Sequence, residues 1–203
     1  CAQALIDAGA AVDMVNNDGT TALMKACIDG QHECAQALID AGAAVDKVGN
    51  DGWSALMCAC RTGHRECAQA LIEAGAAVDM VNNDRTTALM KACIDGQHEC
   101  AQALINAGAA VDMEDDDGNT ALMLACKWGR HECTRTLIVS GAAVDHADNA
   151  VETALMIAVE SPSLDEIREE CDAESDEDED SDDDSEMDEE ELEQRNDERR
   201  QQR

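Results

Sequence analysis

Three His-Glu-Cys triplets, His32-Glu33-Cys34, His98-Glu99-Cys100 and His131-Glu132-Cys133, carry side chains that ligate metals. A Cys-x-Cys pair, Cys58 and Cys60, offers thiols for redox or nucleophilic chemistry. Spacing argues against both. On a helix, residues two apart point about 200 degrees away from each other, so one triplet cannot close around an ion. Triplets in successive copies would form a ladder rather than a tetrahedron. Cys60 falls in a column expected to be buried and Cys58 in one expected to be exposed, with no evident cation to activate it. No phosphate loop, nucleophile elbow or Ser/His/Asp set is present. The reading is a chain without catalysis, with no metal, no cofactor and no small-molecule substrate.

The elements that must position these residues repeat. Cys27, Cys60, Cys93 and Cys126 recur every 33 residues, as do Cys1, Cys34, Cys67, Cys100 and Cys133. Thr-Ala-Leu-Met stands at Thr21, Thr87, Thr120 and Thr153, with Ser54 in the second copy, and Gly-Ala-Ala-Val-Asp starts at Gly9, Gly42, Gly75, Gly108 and Gly141. A fixed period of this length is the mark of a stacked array. Within a copy, Ala22, Leu23, Ala26 and Cys27 make an apolar stripe at helical spacing, with Thr21 as N-cap and Gly30 at the end. Cys34, Ala37, Leu38 and Ala41 predict a second helix, closed by Gly42. Asn50-Asp51-Gly52 predicts a turn between short extended pieces. Residues 1–40 and 67–106 differ only at Asp7/Glu73, Gly19/Arg85 and Asp40/Asn106, which reads as duplication of a two-repeat block.

The run Asp18-Gly19-Thr20-Thr21-Ala22-Leu23-Met24, followed by Ala26, Gly30, Glu33, Leu38-Ile39, Gly42-Ala43 and Val45, resembles the ankyrin repeat family. The resemblance covers residues 1 to about 160. It implies an all-α repeat solenoid, a stack of helix-turn-helix units with β-hairpin fingers and a partner docked on the concave side. The family's Thr-Pro-Leu-His is Thr-Ala-Leu-Met here, so Ala22 and its equivalents lose a proline that pre-sets the first turn. Met24, Met57, Met90, Met123 and Met156 replace a histidine whose bonds tie neighbouring repeats in family members, and methionine can fill that space without making those bonds. A looser, less cooperative stack is expected, against which a single sharp transition at a high denaturant midpoint would count.

Core columns barely change between copies, whereas three columns expected to be exposed do. The finger column holds Thr20, Trp53, Thr86, Asn119 and Glu152, and two first-helix columns hold Lys25, Cys58, Lys91, Leu124, Ile157 and Asp29, Thr62, Asp95, Trp128, Ser161. In the family these columns line the binding surface. The candidate contacts are therefore Trp53, Trp128, Lys25, Lys91, Asp29, Asp95, Thr20, Thr86, Asn119 and Leu124. The tryptophans lead because Trp is enriched at interface hot spots; the alternative is that each covers a neighbouring repeat or loop. Arg61, Arg65, Lys127 and Arg130 lie nearby, as salt-bridge donors to an acidic partner or as a solvated surface.

With 46 acidic against 14 basic residues, a net charge of -32 and no Phe or Tyr, the core must be built from small aliphatic and sulfur side chains. The charge argues against nucleic acid and against an anionic membrane surface. No apolar run spans a bilayer and no secretory signal is present, and an odd total of 11 cysteines in repeat columns reads as reduced, buried thiols. Together these point to an intracellular protein, cytoplasmic or nuclear. The chain opens on Cys1 in mid-pattern and reads as a fragment.

The expected organisation is a partial repeat over 1–17, repeats over 18–50, 51–83, 84–116 and 117–149, a degenerate capping repeat over 150–171 and a disordered acidic tail over 172–203. Ser163 with Glu166 makes a capping-box signature for a short helix from Leu164 to Cys171, suited to closing the stack. From Asp172 to Glu193 there are 16 acids and no base, and the tail's net -14 leaves -18 for residues 1–171. Such a segment stays disordered. Ser175, Ser181 and Ser185 each precede an acid by three residues, resembling acidophilic-kinase sites. Three function classes follow: a protein-binding module or scaffold, a regulatory or targeting fragment of a larger enzyme, and an acidic-tail binder of basic proteins such as histones.

Overall fold

Each copy folds as two short antiparallel helices and a turn, and the computed structural model describes residues 2–160 in this way. The first helices are α2 (Ala22–Ile28), α4 (Ala55–Thr62), α6 (Ala88–Ile94), α8 (Ala121–Lys127) and α10 (Ala154–Glu160). The second helices are α1 (Ala2–Asp7), α3 (His32–Asp40), α5 (Arg65–Glu73), α7 (His98–Asn106) and α9 (His131–Val139). Helices of six to nine residues would not persist alone in water, so packing between copies must hold them. Neighbouring first helices pack on one another more extensively than neighbouring second helices do.

Capping starts each first helix as the sequence implies. Thr21, Ser54, Thr87 and Thr120 are extended, and each hydroxyl accepts the backbone N–H three residues on. The methionines add a bond that was not anticipated. Met24, Met90 and Met123 turn their thioethers back onto the N–H of Thr21, Thr87 and Thr120, at 3.4 to 3.5 Å. Sulfur thus completes a capping box inside its own copy.

Two expectations need correction. Among the described residues the fingers contain no strands; each is a tight turn closed at most by one bridge, such as Val48 with Ser54. The turns are held instead by side chains. Asn82 Oδ1 accepts the N–H groups of Asp84 and Thr86, and Asn16, Asp115 and Asp148 repeat the arrangement. The second-helix stripe is also displaced: Ala35 and Leu38 are buried, whereas Ala41 is exposed and Ala37 only half-buried. The same positions recur as Cys67-Ala68-Leu71 and Cys100-Ala101-Leu104. The helix turns its Cys-Ala edge, not its C-terminal alanine, into the core, and Ala41 already caps the helix end.

Polar rungs join the copies. The carboxylates of Asp13, Asp46, Asp79 and Asp112 accept the backbone N–H of Ala44, Ala77, Ala110 and Ala143 at 2.8 to 2.9 Å. His64 Nε2 lies 3.2 Å from the Ile28 carbonyl, and Arg130 Nε donates to the Ile94 carbonyl at 3.0 Å. The column Gln31, His64, Gln97, Arg130 therefore carries inter-repeat bonds at two interfaces without the family histidine.

Candidate partner-binding surface

Trp53 reaches from the finger of its copy across two first helices. Arg61, at the end of α4, and Lys91, on α6 of the next copy, each sit 4.9 Å from the indole centroid. Cation–π attraction of this kind is worth about 0.5–1 kcal/mol near a surface. The effect shows in two identical stretches, Ala-Leu-Met-Lys-Ala-Cys-Ile-Asp at 22–29 and 88–95. Lys25 pairs with Asp29 at 3.2 Å, whereas Lys91 lies over the Trp53 ring and makes no ion pair with Asp95. Trp53 is half-buried and also touches the core, so it braces the wall between two copies while presenting part of its ring.

Trp128 stands differently. It is the C-cap of α8 and is 51% exposed, the largest side chain so displayed on the first-helix row. Asp29 and Asp95 occupy the same column and are exposed, as is Lys25, with Lys91 half-buried. Thr20 is half-buried. The structure separates the remaining candidates from this surface: Thr86, Asn119 and Leu124 are each under 10% exposed. Within the finger turn the N–H groups of Thr86 and Asn119 donate to Asn82 and Asp115. Leu124 joins the core where sequence position alone suggested solvent. Ser175, Ser181 and Ser185 lie outside the described residues, as does the segment 164–171.

Cys58 likewise moves from the exposed side to the core, with 5% exposure. Burial pushes its thiol up to about 11, and Arg61 nearby only partly offsets this. The buried cysteines meet in pairs across successive copies, Cys27 with Cys67, Cys60 with Cys100 and Cys93 with Cys133. Burial holds Cys27 and Cys67 in the protonated form. With its thiol raised by burial and its side chain in the core, Cys58 should be alkylated by iodoacetamide well after half-buried Cys34 in the folded protein. Mass spectrometry of a time course checks this, and early labelling of Cys58 would show that the α4 wall opens readily.

On the opposite, second-helix side, Arg65, Gln69, His98, Gln102, Asn106 and Thr136 line a shallow polar groove of about 470 Å³. Its position over the gaps between α5, α7 and α9 makes it a product of stacking; it gathers no convergent donor set. His32, His98 and His131 are exposed at the starts of their helices. No group of three or more His, Cys, Asp or Glu side chains among the described residues is arranged to hold a metal. No described helix is long and apolar enough to cross a membrane.

The family model for ankyrin repeats (3 copies) matches residues 1–82 and 75–148, so the chain belongs to the ankyrin repeat family. Ankyrin repeats are generally protein–protein interaction modules and typically non-enzymatic. No curated protein matches the chain.

Proposed function

We propose that this protein is a binding module or scaffold that takes another protein on the inner, first-helix side of its stack, around Trp128, Trp53, Lys91, Lys25, Asp29 and Asp95. The observation that carries the reading is Trp128, half exposed on the first-helix row in a column that varies between copies while the core columns beneath it barely change. Thr20, at the half-buried finger position, adds an edge contact, while Thr86, Asn119 and Leu124 support the surface from beneath. Partner capture from lysate tests the reading with three proteins: the full chain, Trp53→Ala/Trp128→Ala, and a truncation at Cys171. Loss of the partner with the tryptophan changes, and survival on truncation, is the expected result. The reverse pattern would transfer the function to the acidic tail.

That second reading, a tail that engages basic proteins, draws on the 16 acids between Asp172 and Glu193. It predicts binding that weakens steeply with salt and rises on phosphorylation of Ser175, Ser181 and Ser185. A regulatory role within a larger enzyme is compatible with either surface. The unpaired thiols favour a reducing compartment, cytoplasm or nucleus. Leu155 and Met156 are 74% and 55% exposed, whereas their counterparts Leu122 and Met123 are buried by the next copy.

A further inference from the structure

Three of the four finger-to-finger interfaces are zipped by the same two bonds. The N–H of Asn50, Asn83 and Asn149 donates to the carbonyl of Asp18, Asp51 and Asp117 at 3.1 to 3.2 Å. Their side-chain amides donate to the carbonyls of Asn17, Asn50 and Asp116 at 3.1 to 3.2 Å. The close approach needs glycine: a Cβ on Gly52 would stand 2.8 Å from the Asn83 nitrogen, and one on Gly19 would stand 2.8 Å from that of Asn50.

The fourth interface, between the 84–116 and 117–149 repeats, lacks both bonds. Arg85 occupies the glycine position with φ 56, so a side chain stands where the neighbouring N–H should come. Asp116 occupies the asparagine position and has no amide to donate. Neither of its rungs forms, and the finger at Glu114–Thr120 also lacks the bridge present in the other four fingers. In exchange there is a 4.0 Å contact between Arg85 and Asp116, both side chains about three-fifths exposed, a pair that contributes little. The first helices on either side, α6 and α8, pack less extensively than any other neighbouring pair in their row. Away from the fingers the interface remains stitched, by Asp112 to the Ala143 N–H and by Arg130 to the Ile94 carbonyl.

We propose that this interface is a hinge: the array opens there on its finger side, about the stitched second-helix side, so that α8 onward moves and unfolds separately from α2 to α7. The inference goes beyond the binding reading and stands without it. If both hold, the hinge divides the candidate surface, with Trp53 and Lys91 on one block and Trp128 on the other, and a partner touching both tryptophans closes it.

Amide hydrogen exchange on the full chain tests the hinge by comparing peptides from α4, α6 and α8. Opening at the joint predicts that α8 exchanges at least about tenfold faster than α6, and that Arg85→Gly/Asp116→Asn slows α8 by a similar factor while leaving α4 unchanged. Because that pair of changes relieves a left-handed arginine, it should fold at least as well as the natural chain. The converse variant, Gly52→Arg/Asn83→Asp, should move the boundary and make α6 exchange faster than α4. Equal rates in α6 and α8 would overturn the hinge. So would fast α8 exchange unaffected by Arg85→Gly/Asp116→Asn, since that describes fraying from the C-terminal end.

Discussion

Gly52→Ala is expected to lower stability by about 2–4 kcal/mol, and Gly75→Ala by about 1 kcal/mol. Both glycines have positive φ, 79 and 85, so both alanines incur a left-handed penalty of about 1–2 kcal/mol at most. Only at Gly52 does the added carbon meet anything. It comes within 3.0 Å of backbone at Asn82 and Asn83, and the rung from the Asn83 N–H must part. A lost backbone bond adds about 1 kcal/mol. Around Gly75 nothing lies within 4 Å. Urea melts of the two variants give the comparison. Equal losses would mean that finger zipping adds nothing to the stack.

Met90→Ala carries the second large effect, about 2–5 kcal/mol. The side chain is 1% exposed and fills the layer between successive first helices, so truncation leaves a cavity bounded by helices on both sides. The sulfur also holds the Thr87 N–H at 3.4 Å, and alanine leaves that buried donor without its partner. Met90→Leu keeps most of the volume and loses only the sulfur contact, so its cost should stay below about 1.5 kcal/mol. Thermal or urea unfolding separates the two. If both substitutions cost the same, the sulfur bond and not the packing is what the methionine column supplies.

Periodicity made the architecture legible because each copy repeats the same local instructions. Thr21 starts a helix and Gly30 and Gly42 end helices in ways that depend on neighbours a few residues away. What depended on the adjacent copy was harder to read. Cys58 and Leu124 share a column with Lys25, which is exposed, yet both are buried. An apolar side chain there folds down between first helices while a lysine stretches out. Lys91 leaves Asp95 because a tryptophan stands 38 residues earlier in the chain, beyond any local pattern. Thr86 and Asn119 are buried although Thr20, whose N–H makes the same bond within its own finger, stays half-buried, so the local turn does not decide their exposure. The proposed hinge is written in the sequence as Arg85 where Gly19, Gly52 and Gly118 stand and as Asp116 where Asn17, Asn50, Asn83 and Asn149 stand. Their meaning needed the distances across the fingers.

Partner affinity, compared face by face, tests the central claim most directly. With a captured partner in hand, dissociation constants would be measured for Trp53→Ala and Trp128→Ala on the inner row and for Gln69→Ala and Gln102→Ala in the second-helix groove. Docking on the inner row predicts a loss of about tenfold or more for at least Trp128→Ala, with the groove variants unchanged. Weakening confined to the groove variants would contradict the account and place the partner on the other side of the stack.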